Sequence, residues 1–171
     1  MHDVKCEHQS FKFVNFRLDL FGGGADVPFF ITGGTQLGEG IGDKLTVVSQ
    51  PITGYYLLVT PKIFISTVWA YKSMKKYLKE GQDRPNFAHF LENNNLSNVI
   101  FENDFERIVI PTYPEIGEIK ASLLNAGASY ASLSGSGSTV FGIFDKEAKA
   151  KQAESHFQKQ YQTFLTRPTN I

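Results

Sequence analysis

Residues 130–144 read YASLSGSGSTVFGIF, two apolar runs on either side of a loop made only of glycine and serine. The runs, at 130–133 and 139–144, contain the aromatic and β-branched residues that are typical of strands, and they predict a pair of strands. Glycine and serine between them are common turn residues, so the loop 134–138 joins the strands as a hairpin. Two strands joined so closely pair antiparallel, which argues against a purely parallel sheet.

Further strands are predicted on both sides of this hairpin. The continuous apolar run from Tyr55 to Val59, bounded by Gly54 and Pro61, is typical of a buried strand. A closing strand is expected near Thr163 to Leu165, and Thr35-Gln36-Leu37 is a short candidate strand within the glycine-dense segment 22–42.

Helical spacing of apolar residues predicts four helices between these strands. The first is capped by Ser66 or Thr67 and runs through Trp69, Ala70, Met74 and Leu78 until Gly81, and the second extends from Asn86 to Glu92. The third begins at Pro114, has Ile116, Ile119, Leu123 and Leu124 on one face, and stops at Gly127. The fourth extends from Lys146 to about Gln160. This order of elements predicts an α+β fold of two layers. We expect a mixed or antiparallel sheet with helices on one face, of the ferredoxin-like type.

Composition excludes several classes of protein. The chain has 171 residues, 17 basic and 17 acidic side chains and 42% hydrophobic residues, which does not fit a disordered tail, a collagen-like repeat or a membrane-spanning bundle. A chain of this length buries roughly 70% of its unfolded surface, enough for one core without disulfides. A net charge of zero offers no general attraction to nucleic acid or anionic lipid, so we expect a small molecule or a protein as partner.

Cysteine and histidine usage points to a reducing compartment and to no metal site. Cys6 is the single cysteine, and the four histidines are far apart and in no ligand-like spacing. The first ten residues show no secretory or transit signature, and no apolar run approaches the roughly 20 residues that span a bilayer. The expected location is therefore the cytoplasm, with no membrane partner.

Three segments carry residues that a core alone does not require. In the first, Asp26 stands between Gly24-Ala25 and the apolar run Val27-Pro28-Phe29-Phe30. Partly desolvated beside a substrate alcohol, this carboxylate would orient the hydroxyl or accept its proton. The alternative is that Asp26 caps a helix that begins at Pro28.

The second segment is the loop Ser134 to Ser138, whose backbone N–H groups and hydroxyls can cradle an anion; a plain hairpin connection is the alternative. It is not a Walker loop, because no Gly-Lys-Ser or Gly-Lys-Thr follows. In the third segment, Ser66 and Thr67 open a helix whose free N–H groups could bind an anion, and Tyr71 follows Thr67 by one turn. Self-capping of that helix is the alternative.

Together these segments resemble the 4-diphosphocytidyl-2-C-methyl-D-erythritol kinase family of the GHMP small-molecule kinases. The matching motifs, in order from about Gly24 to Asp145, are Gly24-Ala25-Asp26-Val27-Pro28-Phe29-Phe30, Gly33-Gly34-Thr35, Leu37-Gly38-Glu39-Gly40, Ile65-Ser66-Thr67 with Ala70-Tyr71, Asn103-Asp104-Phe105-Glu106, Tyr113-Pro114-Glu115-Ile116, and Ser134 through Gly142. A single one of these motifs is weak, but their order along the chain is specific.

The resemblance implies ATP-dependent phosphorylation of the 2-hydroxyl of 4-diphosphocytidyl-2-C-methyl-D-erythritol, a step of the non-mevalonate route to isoprenoids. By resemblance, Asp26 is the catalytic residue, and Gly135, Ser136, Gly137 and Ser138 form the loop that closes over the site near the phosphates. Thr67 and Tyr71 fall on the cytidine side. Mg²⁺ would arrive with the phosphates of ATP rather than in a protein cage.

Other parts of the family pattern have no match in the chain. The family's lysine near the chain start and its Pro-x-Gly-x-Gly-Leu-Gly-Gly-Gly-Ser-Ser phosphate loop are not found; neither Lys5 nor Gly22-Gly23-Gly24 has the required neighbours. We therefore expect residues 1–45 to be a remnant of an amino-terminal kinase domain or an irregular tail, and residues 46–171 to form the carboxy-terminal domain.

A chain of this kind would have poor activity or none by itself. Apolar residues at 11–21 and 27–31 would then form a patch that favours self-association. The alternative function is a non-catalytic fold module or interaction protein derived from such a kinase.

Overall fold

The computed structural model describes residues 36–39, 44–47, 53–79 and 103–168. Within these ranges lie six strands and four helices. The helix predicted from Asn86 to Glu92, the segment around Asp26 and the apolar stretches at 11–21 and 27–31 lie outside them, and those expectations stay predictions. The predicted domain boundary between residues 45 and 46 falls within the described range 44–47, and it also stays a prediction.

Two short strands form a two-stranded sheet of their own. Strand β1 (Gln36–Glu39) pairs antiparallel with β2 (Lys44–Val47), so that Gln36 is opposite Val47. Strand β1 overlaps the strand expected at Thr35 to Leu37, whereas β2 was not predicted. By its contacts the hairpin belongs to a different compact unit from residues Gly54–Arg167.

The larger unit carries the remaining eight elements. In chain order they are β3 (Tyr55–Thr60), α1 (Thr67–Lys79), α2 (Glu106–Thr112), α3 (Pro114–Asn125), β4 (Tyr130–Leu133), β5 (Val140–Phe144), α4 (Glu147–Phe157) and β6 (Gln162–Thr166). The strands align in the order β4-β5-β3-β6, and every neighbouring pair is antiparallel. The hairpin predicted from residues 130–144 is therefore confirmed. With β3 and β5 in the middle and β6 beside β3, the topology is the expected ferredoxin-like one.

All four helices contribute to one core on one face of the sheet. Strands supply alternate residues to it, as the period of two requires: Leu57 and Val59 from β3, and Val140 and Phe144 from β5. Helix α3 approaches closely at Gly142, where a Cβ atom would lie 3.1 Å from Leu123 Cδ2. A side chain at that position would require Leu123 and Ala128 to move by a few tenths of an ångström.

The opposite face of the central strands is also buried, although its residues do not belong to the helical core. Tyr56 and Phe141 are 3% and 4% exposed, and their rings stack with centroids 6.4 Å apart. Burial raises the pKa of the Tyr56 hydroxyl to about 12, because the charged phenolate would lose its hydration there.

Helix α3 begins and ends where the sequence predicts. Pro114 occupies the first turn, where its missing N–H costs nothing. Gly127 has a φ of +95° and closes the helix: its N–H donates to Leu124 O at 2.9 Å, while Ala128 N–H donates to Leu123 O at 3.1 Å. These two bonds form a Schellman motif, for which glycine is favoured because it adopts positive φ without strain.

The structure differs from the predicted helices in three places. Helix α2 was not predicted, because it has only seven residues and contains Pro111. Leu124 is 43% exposed rather than part of the buried face; the core stripe of α3 consists of Ile116, Ile119 and Leu123. Helix α4 ends at Phe157, three residues before the predicted end. Among the described helices, none has both the length and the apolar character needed to cross a bilayer.

Candidate functional site

The glycine–serine loop, residues 134–138, lies between β4 and β5 and is closed by backbone hydrogen bonds. Ser134 N–H donates to Thr139 O at 2.8 Å, and Gly137 N–H donates to Ser134 O at 2.9 Å. Gly135 and Gly137 have φ values of +56° and +94°, and the Gly137–Ser138 peptide is cis. Two N–H groups are thus used inside the loop, so an anion would have to be met by other donors, such as the serine hydroxyls.

Gly137 also lies where an added side chain would press on its neighbours. A Cβ atom there would be 2.9 Å from Ile65 Cδ1 and 3.1 Å from Leu133 Cδ1. At Gly135 the same construction meets nothing within 4 Å. Packing therefore selects glycine at 137, whereas only the backbone conformation selects it at 135.

Asn103 holds the start of the loop with its side-chain amide. Its Nδ2 donates to Leu133 O at 2.7 Å and to Gly135 O at 2.8 Å, and its Oδ1 accepts a hydrogen bond from Phe105 N–H at 3.0 Å. Both donors and one acceptor position are thereby used, which determines the orientation of the amide.

Glu106, three residues later, reaches the same strand. Its Oε1 accepts hydrogen bonds from Ser132 Oγ and Leu133 N–H, both at 2.8 Å, and its Oε2 is paired with the ammonium of Lys120 on α3. The carboxylate side chain is only 12% exposed. This arrangement ties α2 and α3 to β4, the edge strand of the sheet, and gives the outward-facing N–H of Leu133 a partner.

The start of α1 meets the tip of the loop. Thr67 Oγ1 lies 3.4 Å from Ser136 Oγ, so the structure brings these two predicted site residues together at the surface. Ser66 Oγ accepts a hydrogen bond from Trp69 N–H at 3.4 Å, which is the self-capping expected as the alternative for this segment. The other end of the loop is tied by a hydrogen bond of 2.9 Å between the hydroxyls of Thr60 and Thr139.

Tyr71 lies one helical turn after Thr67 and is half-buried. Its ring packs edge-to-face on Phe105, with centroids 5.1 Å apart at 85°, and the hydroxyl is buried. Stacking on a nucleobase would use the part of the ring that stays exposed. Asp26, the residue expected to be catalytic, lies outside the described residues, and its role stays a prediction.

Asn103 and Glu106 were missed as site residues by reasoning from the sequence. Both belong to the motif Asn103-Asp104-Phe105-Glu106, which entered only through the family resemblance and received no role. The available signal was a polar Asn shortly before a short helix, since Asn side chains often bond to nearby backbone. In the ranges that the structure describes, no three His, Cys, Asp or Glu side chains gather as metal ligands would.

Comparison with known proteins connects this loop and fold to one family. Residues 74–163, more than half of the chain, match the family model described as GHMP kinases C terminal. The chain is 43% identical over 130 residues to the 4-diphosphocytidyl-2-C-methyl-D-erythritol kinase of Geobacter sulfurreducens, covering 76% of this chain and 46% of that protein. The kinase of the same name from Chlorobium phaeobacteroides is 43% identical over 152 residues, covering 85% and 51%.

Solved structures agree on the fold. A crystal structure of a 4-(cytidine 5'-diphospho)-2C-methyl-D-erythritol kinase superposes with a TM-score of 0.67 at 22% identity, over 85% of this chain and 54% of that one. Homoserine kinase from Cytophaga hutchinsonii superposes with a TM-score of 0.55 at 18% identity, over 84% and 50%. The chain thus spans about half the length of the curated relatives it matches.

Proposed function

Because the chain belongs to the family of GHMP kinase C-terminal domains, we propose that it serves the transfer of a phosphoryl group from ATP to the 2-hydroxyl of 4-diphosphocytidyl-2-C-methyl-D-erythritol. The observation that carries this proposal is the identity of 38–43% to curated relatives that bear one kinase name. Homoserine kinase shares the fold, but fold alone does not determine the substrate.

In the proposed reaction, the 2-hydroxyl oxygen attacks the γ-phosphorus while the bond to the β,γ-bridging oxygen breaks. Asp26 orients the hydroxyl and takes its proton, so that the new phosphate ester and ADP are the products. ATP supplies the phosphoryl group, and Mg²⁺ carried on its phosphates neutralises their charge. The remaining work of this chain is to position the reactants.

The glycine–serine loop fits the phosphate side of such a site. Ser136 presents its hydroxyl at the surface beside Thr67, and the loop contains no acidic side chain that would repel a phosphate. Its base is held by Asn103 and by the Thr60–Thr139 hydroxyl pair, so its donors are pre-organised. We place Thr67 and Tyr71 on the cytidine side, where an exposed part of a flat ring can contact a base.

The proposal includes low turnover by these 171 residues alone. The loop Ser134 to Ser138 carries no basic side chain to neutralise the phosphates, and no stretch of the chain matches the family's phosphate loop. Effective positioning of reactants contributes up to about 7–11 kcal/mol to lowering a barrier, so its loss is severe.

The test is a measurement of ADP release with 4-diphosphocytidyl-2-C-methyl-D-erythritol and MgATP. It compares the chain alone with a fusion that places the amino-terminal half of the Geobacter sulfurreducens relative before it. We expect turnover by the fusion and a fall of about 10²–10⁴-fold in Asp26→Asn, the usual contribution of a general base. Asp145→Asn, at an exposed position after β5, is the matched control and should leave turnover unchanged.

Two results would contradict the proposal at different points. A folded fusion that phosphorylates homoserine or mevalonate but not the diphosphocytidyl compound refutes the substrate. Turnover of Asp26→Asn within about twofold of the unmodified fusion refutes the role of Asp26, since a general base contributes far more. A chain and a fusion that both fold but bind no nucleotide support the non-catalytic module instead.

A further inference from the structure

We propose that Asn103 is a positioning residue: it fixes the peptide between Gly135 and Ser136, and thereby aims the Ser136 N–H at the phosphates. The aim at a phosphate rests on the proposed kinase function. The fixing of the peptide rests only on the hydrogen bonds of the described residues.

The Asn103 amide has one orientation that satisfies its surroundings. Both hydrogens of Nδ2 point to carbonyl oxygens, those of Leu133 and Gly135, while Oδ1 faces the N–H of Phe105. A flipped amide would set its NH₂ group against an N–H and its oxygen against two carbonyl oxygens. The side chain is therefore held at both ends and cannot turn without losing three hydrogen bonds.

The bond to Gly135 O controls a donor on the other side of the same peptide. A peptide group is planar, and in its trans form the C=O of one residue and the N–H of the next point in opposite directions. Because Asn103 holds Gly135 O, it also directs the Ser136 N–H away from Asn103. The side chain of Ser136 meets Thr67 at the surface, where the two hydroxyl oxygens are 3.4 Å apart.

The neighbouring contacts make this control rigid. Leu133, the last residue of β4, has its C=O bonded to Asn103 and its N–H bonded to Glu106, so both of its outward-facing backbone groups are held. On the far side, Thr139 is bonded to Thr60. With both ends tied, the bond from Asn103 to Gly135 O is the side-chain contact that acts directly on the peptide before Ser136.

A purely structural role for Asn103, as a partner for the edge of β4, makes different predictions. Such a role affects stability and leaves the reaction of the folded protein unchanged. A positioning role affects turnover of the folded protein, because a misplacement of about 1 Å costs on the order of 10²-fold in rate.

The decisive variant is Asn103→Asp, which keeps the shape and the acceptor for Phe105 N–H but turns the two donations into repulsion between oxygens. The matched control is Gln152→Glu, the same change from amide to carboxylate on an exposed position of α4. Asn103→Gln, which keeps the amide on a longer side chain, is the second variant in case Asn103→Asp does not fold.

The first measurement is amide hydrogen exchange in the 171-residue chain without any ligand. We expect the Gly137 N–H, bonded to Ser134 O, to exchange at least about tenfold faster in Asn103→Asp, because local opening governs the exchange of loop amides. The Val59 amide in the central strand serves as the reference for global stability. Unchanged loop exchange would overturn the proposal.

The second measurement is the pH profile of ADP release by the fusion. At pH 8 we expect Asn103→Asp to lower kcat on the order of 10²-fold while KM for the diphosphocytidyl substrate changes little. The carbonyl oxygens raise the pKa of the introduced carboxyl, so lowering the pH adds a proton that can again be donated to Gly135 O. The ratio of variant to unmodified kcat should therefore rise as the pH falls.

Each outcome has one meaning. A loss of kcat that is the same at every pH and parallels a loss of stability assigns Asn103 a structural role and overturns the proposal. Full kcat in a variant whose loop exchanges faster overturns it as well. If the unmodified fusion folds and releases no ADP, the proposed function fails, and the exchange of the Gly137 amide then decides by itself whether Asn103 fixes the loop.

Discussion

Replacement of Gly137 by alanine tests whether packing, and not only backbone conformation, shapes the glycine–serine loop. At a φ of +94°, an L-residue pays about 1–2 kcal/mol of backbone strain. Its Cβ would also lie 2.9 Å from Ile65 Cδ1 and 3.1 Å from Leu133 Cδ1, contacts too short for carbon atoms. Overpacking of this kind costs typically about 1–3 kcal/mol, so Gly137→Ala should lower the free energy of unfolding by about 2–5 kcal/mol.

Gly135→Ala is the matched control, because it adds the same methyl group two residues earlier. There φ is +56° and nothing lies within 4 Å, so only the backbone cost of about 1–2 kcal/mol applies. The difference between the two variants isolates the packing contribution. Shortening the nearest neighbour by Ile65→Val should recover part of it, and a double-mutant cycle should show coupling of about 0.5 kcal/mol or more between residues 65 and 137.

Urea denaturation followed by the fluorescence of Trp69, the single tryptophan, measures these effects. Trp69 packs edge-to-face on Tyr113 at 5.7 Å, so its emission reports the contact between α1 and the end of α2. With a slope of about 1–3 kcal/mol per molar urea, a loss of about 3 kcal/mol moves the midpoint by roughly 1–3 M. Equal losses in Gly137→Ala and Gly135→Ala, or no coupling to Ile65→Val, would refute the packing argument.

Two further predictions concern the core and the far face of the sheet. Leu123→Ala should lower the free energy of unfolding by about 2–5 kcal/mol, because Leu123 is fully buried where α3 meets Gly142. Leu124→Ala, at a position 43% exposed, should lower it by less than about 1 kcal/mol. Equal losses in urea denaturation would contradict the observed face of α3. The pKa of Tyr56 is raised by burial to about 12, so the unfolded chain loses this proton first as the pH rises above 10 and stability falls between pH 10 and 12, by about 2 kcal/mol for this group. Below pH 10 the stabilising contribution of Tyr56 is complete. Chemical denaturation at pH 9, 11 and 12 should show that Tyr56→Phe lacks this part of the alkaline loss of stability. An identical pH dependence in both proteins would disprove the prediction.

Local sequence signals predicted most of the larger sheet and its helices. Pro114 and Gly127 bound α3 because each acts through its own backbone, one by a fixed φ and the other by a positive φ. The hairpin of β4 and β5 followed from a loop of turn residues between two apolar runs. Signals of this kind need no knowledge of the rest of the chain.

Two features of the helices were not predicted correctly from the sequence: the exposure of Leu124 in α3 and the existence of α2. Leu124 follows Leu123 directly, and a helix rotates about 100° per residue, so the adjacent leucine turns out of the stripe formed by Ile116, Ile119 and Leu123. Helix α2 escaped prediction because Pro111 argues against a helix interior; packing of Val109 in the core and the bonds of Glu106 to β4 stabilise it. Tertiary contacts outweighed the local preference in α2, whereas helix geometry alone explains the exposure of Leu124.

The sequence by itself therefore determined the ferredoxin-like architecture, the glycine–serine loop and, through the order of its motifs, membership in the GHMP kinases. Only the tertiary structure decided that Asn103 holds Gly135, 32 residues away, and that Glu106 holds Ser132, 26 residues away. Apolar periodicity states which face of an element is buried, because burial depends on one residue at a time. The partner of a polar side chain depends instead on how distant elements pack, and no spacing along the chain records that.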